Sequence, residues 1–97
     1  MSTTLAVVLA CRIFLGQETD PFEARVVGGM LTTLEHDVRA QGFDATLNAE
    51  CREDGVAFYF DGTYLGGDPE ADARMLCAYV TGEWGYYKCV PMCGECA

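Results

Sequence analysis

Phe43-Asp44-Ala45-Thr46-Leu47-Asn48-Ala49-Glu50-Cys51, then Arg52-Glu53-Asp54-Gly55, then Val56-Ala57-Phe58-Tyr59-Phe60-Asp61, is the stretch that decides the fold. Its first run alternates with a period of two. Phe43, Ala45, Leu47, Ala49 and Cys51 share one strand face, and Asp44, Thr46, Asn48 and Glu50 share the other. Asp54-Gly55 is a hairpin signal, because a tight turn needs backbone conformations that glycine adopts without steric cost. Val56, Phe58 and Phe60 continue the apolar face, opposite Ala57, Tyr59 and Asp61. An antiparallel hairpin with one packed and one polar face follows.

Upstream, Asp20-Pro21-Phe22-Glu23 reads as a helix start. Asp20 accepts from unpaired amides, Pro21 suits the first helical position and Glu23 completes an approximate capping box. Val26, Val27, Met30, Leu31, Leu34 and Val38 form one apolar stripe at helical spacing, and Gln41-Gly42 is a natural stop. Gly28-Gly29 lies inside this helix and either permits close packing or kinks it. Before it, Leu5 to Phe14 is apolar on both faces, as a central strand is; a short buried helix is the competing reading.

Downstream, residues 62–67 form a loop containing Tyr64. Asp68-Pro69 opens a second helix that turns Ala71, Met75, Leu76 and Tyr79 to the sheet and ends near Gly82. Trp84 to Val90 reads as a short aromatic strand, and Pro91 and Gly94 disfavour regular structure beyond it. The order is that of the α+β, ferredoxin-like split β-α-β-β-α-β sandwich, a four-stranded antiparallel sheet with two helices on one face. Residues 1–90 are expected to form a single domain, with 91–97 as a cysteine-containing tail.

The chain has 97 residues, 15 Asp and Glu against 6 Lys and Arg, and a formal net charge of -9. Direct binding to nucleic acid or to an anionic membrane is excluded as a general electrostatic mode, since such partners require basic residues. No apolar run is long enough to span a membrane. Val8-Leu9-Ala10-Cys11 loosely resembles a bacterial lipoprotein cleavage site, but no Lys or Arg precedes Arg12. A cytoplasmic location is the expectation.

Six cysteines stand at 11, 51, 77, 89, 93 and 96. Cys89, Cys93 and Cys96 are spaced CxxxCxxC, close enough to ligate a soft metal, with Cys77 as the sequence-nearest fourth ligand for zinc. Disulfides or free thiols are the alternatives, and Cys11 and Cys51 read as small core residues. The spacing is similar to the cluster-binding triad of radical S-adenosylmethionine enzymes. Glu95 stands where that triad carries an aromatic residue, and no barrel pattern accompanies it, so the family is not assigned.

His36 is the sole histidine and falls on the outer side of the first helix; Ser2 is the sole serine. No hydrolytic triad is expected and the chain is not read as an enzyme. The carboxylates are the larger resource. Asp44, Glu50, Glu53, Asp54, Asp61, Asp68 and Glu70, together with Tyr59, Tyr64 and Trp84, are the candidate partner-binding residues. Acids around exposed aromatics suit a basic protein partner, including inhibition of a nucleic-acid-handling protein by charge mimicry. The alternatives are a zinc-stabilised structural domain, a small thiol redox protein, and a homodimer through the open sheet face.

Overall fold

A computed structural model describes residues 9–63, 68–85 and 89–93. The elements are β1 (Leu9–Glu18), α1 (Pro21–Ala40), β2 (Ala45–Arg52), β3 (Gly55–Thr63), α2 (Pro69–Trp84) and β4 (Val90–Met92). They form a four-stranded sheet in the order β2-β3-β1-β4. Every neighbouring pair is antiparallel. This is the ferredoxin-like α+β arrangement. Two strand–helix–strand units interleave, so each long connection is a helix crossing the same side of the sheet.

The hairpin register follows the sequence pattern. Leu47 pairs with Phe60, Ala49 with Phe58 and Cys51 with Val56 on the helix side, while Thr46 pairs with Asp61 and Asn48 with Tyr59 on the open side. Cys11, Ile13 and Leu15 of β1 join Phe58 and Phe60 in the core, against Leu31, Leu34 and Val38 of α1 and Ala73, Leu76 and Val80 of α2. Full burial of each large aliphatic or aromatic side chain stabilises the fold by roughly 1.5–3 kcal/mol. A register shift between Phe14 and Gly16 marks a bulge, after which Glu18 stands opposite Val56.

The helix starts form as their caps dictate. Asp20 Oδ1 accepts from the Phe22 amide at 2.9 Å, and Asp68 Oδ1 from the Glu70 amide at 3.1 Å. The helix α1 runs unbroken through Gly28-Gly29. The buried faces are narrower than the sequence stripes. Val26 and Met30 are exposed, because the sheet covers only the arc centred on Leu31, Leu34 and Val38. On α2, Met75 is exposed, and the expected Ala71–Met75 face gives way to Ala73, Leu76, Cys77 and Val80. The second helix passes Gly82 and ends at Trp84, where Gly85 takes the left-handed cap. Trp84 is therefore helical, and the aromatic strand expected from it is replaced by β4 at 90–92.

Pro91 lies inside β4, so the expected boundary after residue 90 cuts through the sheet. An edge strand tolerates proline, since one side of its backbone faces away from the ladder. At the opposite edge, Glu35 Oε2 accepts from the Leu47 amide at 3.0 Å and Arg39 Nε donates to the Ala45 carbonyl at 3.1 Å. These side chains occupy backbone groups that would otherwise invite a further strand.

Two disulfides tie the ends of β4, Cys11–Cys93 to β1 and Cys77–Cys89 to α2. Cys11 is buried as expected. Cys51 is exposed, contrary to the expectation of a core residue; the α1 side chains bonded to β2 reach Ala45, Thr46 and Leu47, toward the other end of the strand. Of the proposed zinc set of Cys77, Cys89, Cys93 and Cys96, Cys77 and Cys89 are bonded to each other and Cys93 is bonded to Cys11. Cys89 and Cys93 flank β4, four residues or roughly 13 Å apart at strand rise. Sulfurs in one tetrahedral zinc site lie within about 4 Å of each other. Cys96 is outside the described residues. Among the described residues, no helix is long and apolar enough to cross a membrane.

Candidate functional site

Two surfaces gather the polar residues, and they lie on opposite faces of the sheet. On the open face, the side chain of Arg12 on β1 reaches across β3 toward β2. Its Nε donates to Asp61 Oδ1 at 2.7 Å and its Nη1 meets Glu50 Oε2 at 2.8 Å. The guanidinium lies 4.0 Å over the Tyr59 ring. The Arg52 guanidinium donates to the Tyr59 hydroxyl and reaches Glu50 at 3.4 Å, while Asn48 donates to Asp61. Phe14 packs on the other flank of Tyr59, ring centroids 5.4 Å apart. Tyr59 is thus buried by its own neighbours, although no helix covers this face. Glu50 is held below its usual carboxylate range, first by the hydrogen bond from Arg12, against the opposing effect of desolvation. Arg12 is held above its ordinary value chiefly by Asp61. The acids of this face are therefore largely spent on two internal arginines.

The second surface lies at the hairpin end, on the helix side. Because α1 leaves the far end of β2 uncovered, a cleft of about 370 Å³ opens there, lined by Glu18, Thr19, Pro21 and residues 51–56. Glu53 and Asp54 come from the turn and Glu18 from the end of β1. Gln17 Nε2 donates to Asp54 Oδ1 at 2.9 Å, which fixes one carboxylate of the rim. The single arginine among these lining residues, Arg52, has its guanidinium engaged by Tyr59 and Glu50.

The sequence-predicted binding residues therefore separate. Glu50, Tyr59 and Asp61 share the open face; Glu53 and Asp54 share the cleft. Asp68 caps α2, and Glu70 pairs with Arg74 at 2.9 Å, one turn along the same helix. Asp44 is exposed before β2. Tyr64 lies outside the described residues. Trp84 stands on the helix layer, where its indole N–H donates to Asp37 Oδ2 at 2.9 Å. Sequence reasoning missed Glu18, whose place beside the turn depends on the β1–β3 register. It also missed Asp37 as the acceptor joining the two helices. His36 is exposed, as its helical angle implied.

Asp37 also accepts from the Tyr79 hydroxyl at 2.7 Å. These bonds hold its carboxyl below the usual value of 3.8, with the Trp84 donor contributing most. They push the Tyr79 phenol up to about 12, first through the bond to Asp37. A lowered carboxyl contributes stability at neutral pH that is lost as pH falls through its folded value. A raised phenol contributes stability below its ordinary value of 10 that is lost as pH rises toward 12. Asp37→Asn keeps an acceptor oxygen but removes the charge. We expect the variant to show a flatter loss of thermal stability below pH 4 and a Tyr79 titration nearer 10. Parallel curves for variant and parent would contradict the assignment.

Among the described residues, no group of three or more His, Cys, Asp or Glu side chains is arranged to hold a metal ion. The fold and the site define an acidic, doubly disulfide-tied α+β domain of ferredoxin-like topology. No protein-family model, no curated protein and no solved structure matches the chain.

Proposed function

We propose that this protein acts by binding a basic partner protein, with the hairpin-end cleft receiving a lysine or arginine side chain of that partner. The observation that carries this reading is the convergence of Glu18, Glu53 and Asp54 on one open cleft whose single lining arginine is engaged elsewhere. The net charge of -9 supports it, because long-range attraction steers a basic surface toward the molecule. A groove that normally holds a phosphate backbone is a partner of this kind, so inhibition by charge mimicry is the specific form of the proposal. Self-association through the open face draws support from Val90 and Met92, both exposed on β4, but two copies of this charge repel each other. The two disulfides support an oxidising compartment rather than the reducing cytoplasm expected from the sequence.

A titration with a Lys- and Arg-rich peptide tests the site. The combined variant Glu18→Lys, Glu53→Lys, Asp54→Lys is compared with Asp44→Lys, Glu70→Lys, Glu83→Lys, which makes the same change in total charge elsewhere. The first is expected to weaken binding on the order of tenfold more than the second and to reduce its salt dependence. Equal losses would mean that diffuse charge, not the cleft, holds the peptide.

A further inference from the structure

The C-terminal strand β4 has few non-covalent ties. It is three residues long and pairs only with Arg12, Ile13 and Phe14 of β1. Its middle residue is Pro91, which has no N–H to donate. Val90 and Met92 point to the open face and are half exposed. Against this, both its ends are bonded covalently to buried sulfurs. Cys11 and Cys77 belong to the core, whereas Cys93 is exposed and Cys89 is half-buried.

We infer that β4 is a redox-controlled latch: a dithiol reductant releases it and uncovers the backbone edge of β1. The two sulfurs of each bond differ in access, which sets the direction of attack. A reductant thiolate attacks the sulfur on the β4 side, Cys93 or Cys89, forming a mixed disulfide there. The buried Cys11 or Cys77 sulfur leaves with the electron pair and takes up a proton. The second thiol of the reductant then displaces the β4 cysteine as a thiol. Each protein disulfide becomes two thiols, and one dithiol becomes one disulfide. With both bonds open, three residues and one proline are a weak hold on the sheet. The middle strand β1 then becomes an edge with unpaired backbone groups on one side. At the opposite edge Glu35 and Arg39 keep their bonds to Leu47 and Ala45, so the change is expected on the β4 side.

Hydrogen exchange on the full chain, before and after dithiothreitol, tests this, with thiol counting to confirm that both bonds have opened. The expected result is a rise in exchange at residues 89–93 and at Arg12–Phe14 at least about tenfold larger than the rise in β2, β3 and the α1 core, which stay protected. The variant Cys77→Ser/Cys89→Ser, which retains the Cys11–Cys93 tie, is expected to loosen positions 89 and 90 without reductant and to release the rest only on reduction. Unchanged exchange at Arg12–Phe14 in fully reduced protein would overturn the latch. Uniform loss of protection along the chain would overturn it too, since the bonds would then support the whole fold and not one strand.

Discussion

Replacing Cys11 and Cys93 together by serine is expected to lower the unfolding free energy by about 4–5 kcal/mol. The bond joins residues 82 apart in sequence, so it closes most of the chain into one loop. Its main action is on the unfolded state, whose conformational freedom falls with the logarithm of loop length. By the same relation the Cys77–Cys89 bond, with a separation of 12, contributes about 3 kcal/mol. A domain of this size has only about 5–15 kcal/mol in all, so the Cys11→Ser/Cys93→Ser variant is expected to remain folded with a much reduced margin. Denaturant unfolding of the two double variants measures the difference. A loss at 11–93 no larger than the loss at 77–89 would show that native-state strain or residual unfolded structure outweighs loop closure.

Gly55→Ala is expected to cost about 3–4 kcal/mol or to prevent the hairpin from docking on β1. A Cβ at this position would stand 2.3 Å from the Glu18 carbonyl oxygen and 3.0 Å from the Thr19 Cα, both backbone atoms that cannot swing aside. The backbone itself has φ of 145°, a region closed to side-chain-bearing residues. The effect couples fold to site, because the same close approach brings Glu18 beside Glu53 and Asp54. Thermal unfolding together with peptide binding checks it. A variant of parental stability and affinity would mean that the hairpin end is free to shift, and that the cleft is not a fixed feature.

The fold was legible because period-two alternation over 43–51 and 56–61 fixes both the hairpin and its inner face. The caps Asp20-Pro21 and Asp68-Pro69 were equally legible, since capping depends on residues within a few positions of each other. Face assignment on the helices was less so. Val26, Met30 and Met75 extend the apolar stripes beyond the arc that a sheet can cover, and only packing decides which edge of a stripe is left outside. Cys77 is the sharpest instance. It lies in the core, whereas Met75, expected to face the sheet, faces solvent. Cysteine pairing was not readable from spacing, because Cys11 and Cys93 meet through the β1–β4 register. Trp84 looked like a strand residue among aromatics, but α2 continues until Gly85 supplies a left-handed cap. Of the binding residues, Glu53 and Asp54 were visible at the turn, while Glu18 reaches them only through tertiary approach. Arg12 is the other omission. A single arginine on the open face draws Glu50 and Asp61 to itself, and composition alone cannot show that those two acids have an internal partner.

The most direct test of the binding account is chemical-shift mapping of the isotope-labelled, oxidised protein as a Lys- and Arg-rich peptide is added. The account predicts saturable shifts concentrated at residues 17–23 and 51–56, fading as salt screens the attraction. Shifts centred on Glu50, Tyr59 and Asp61, or scattered along both helices in proportion to their acids, would contradict it.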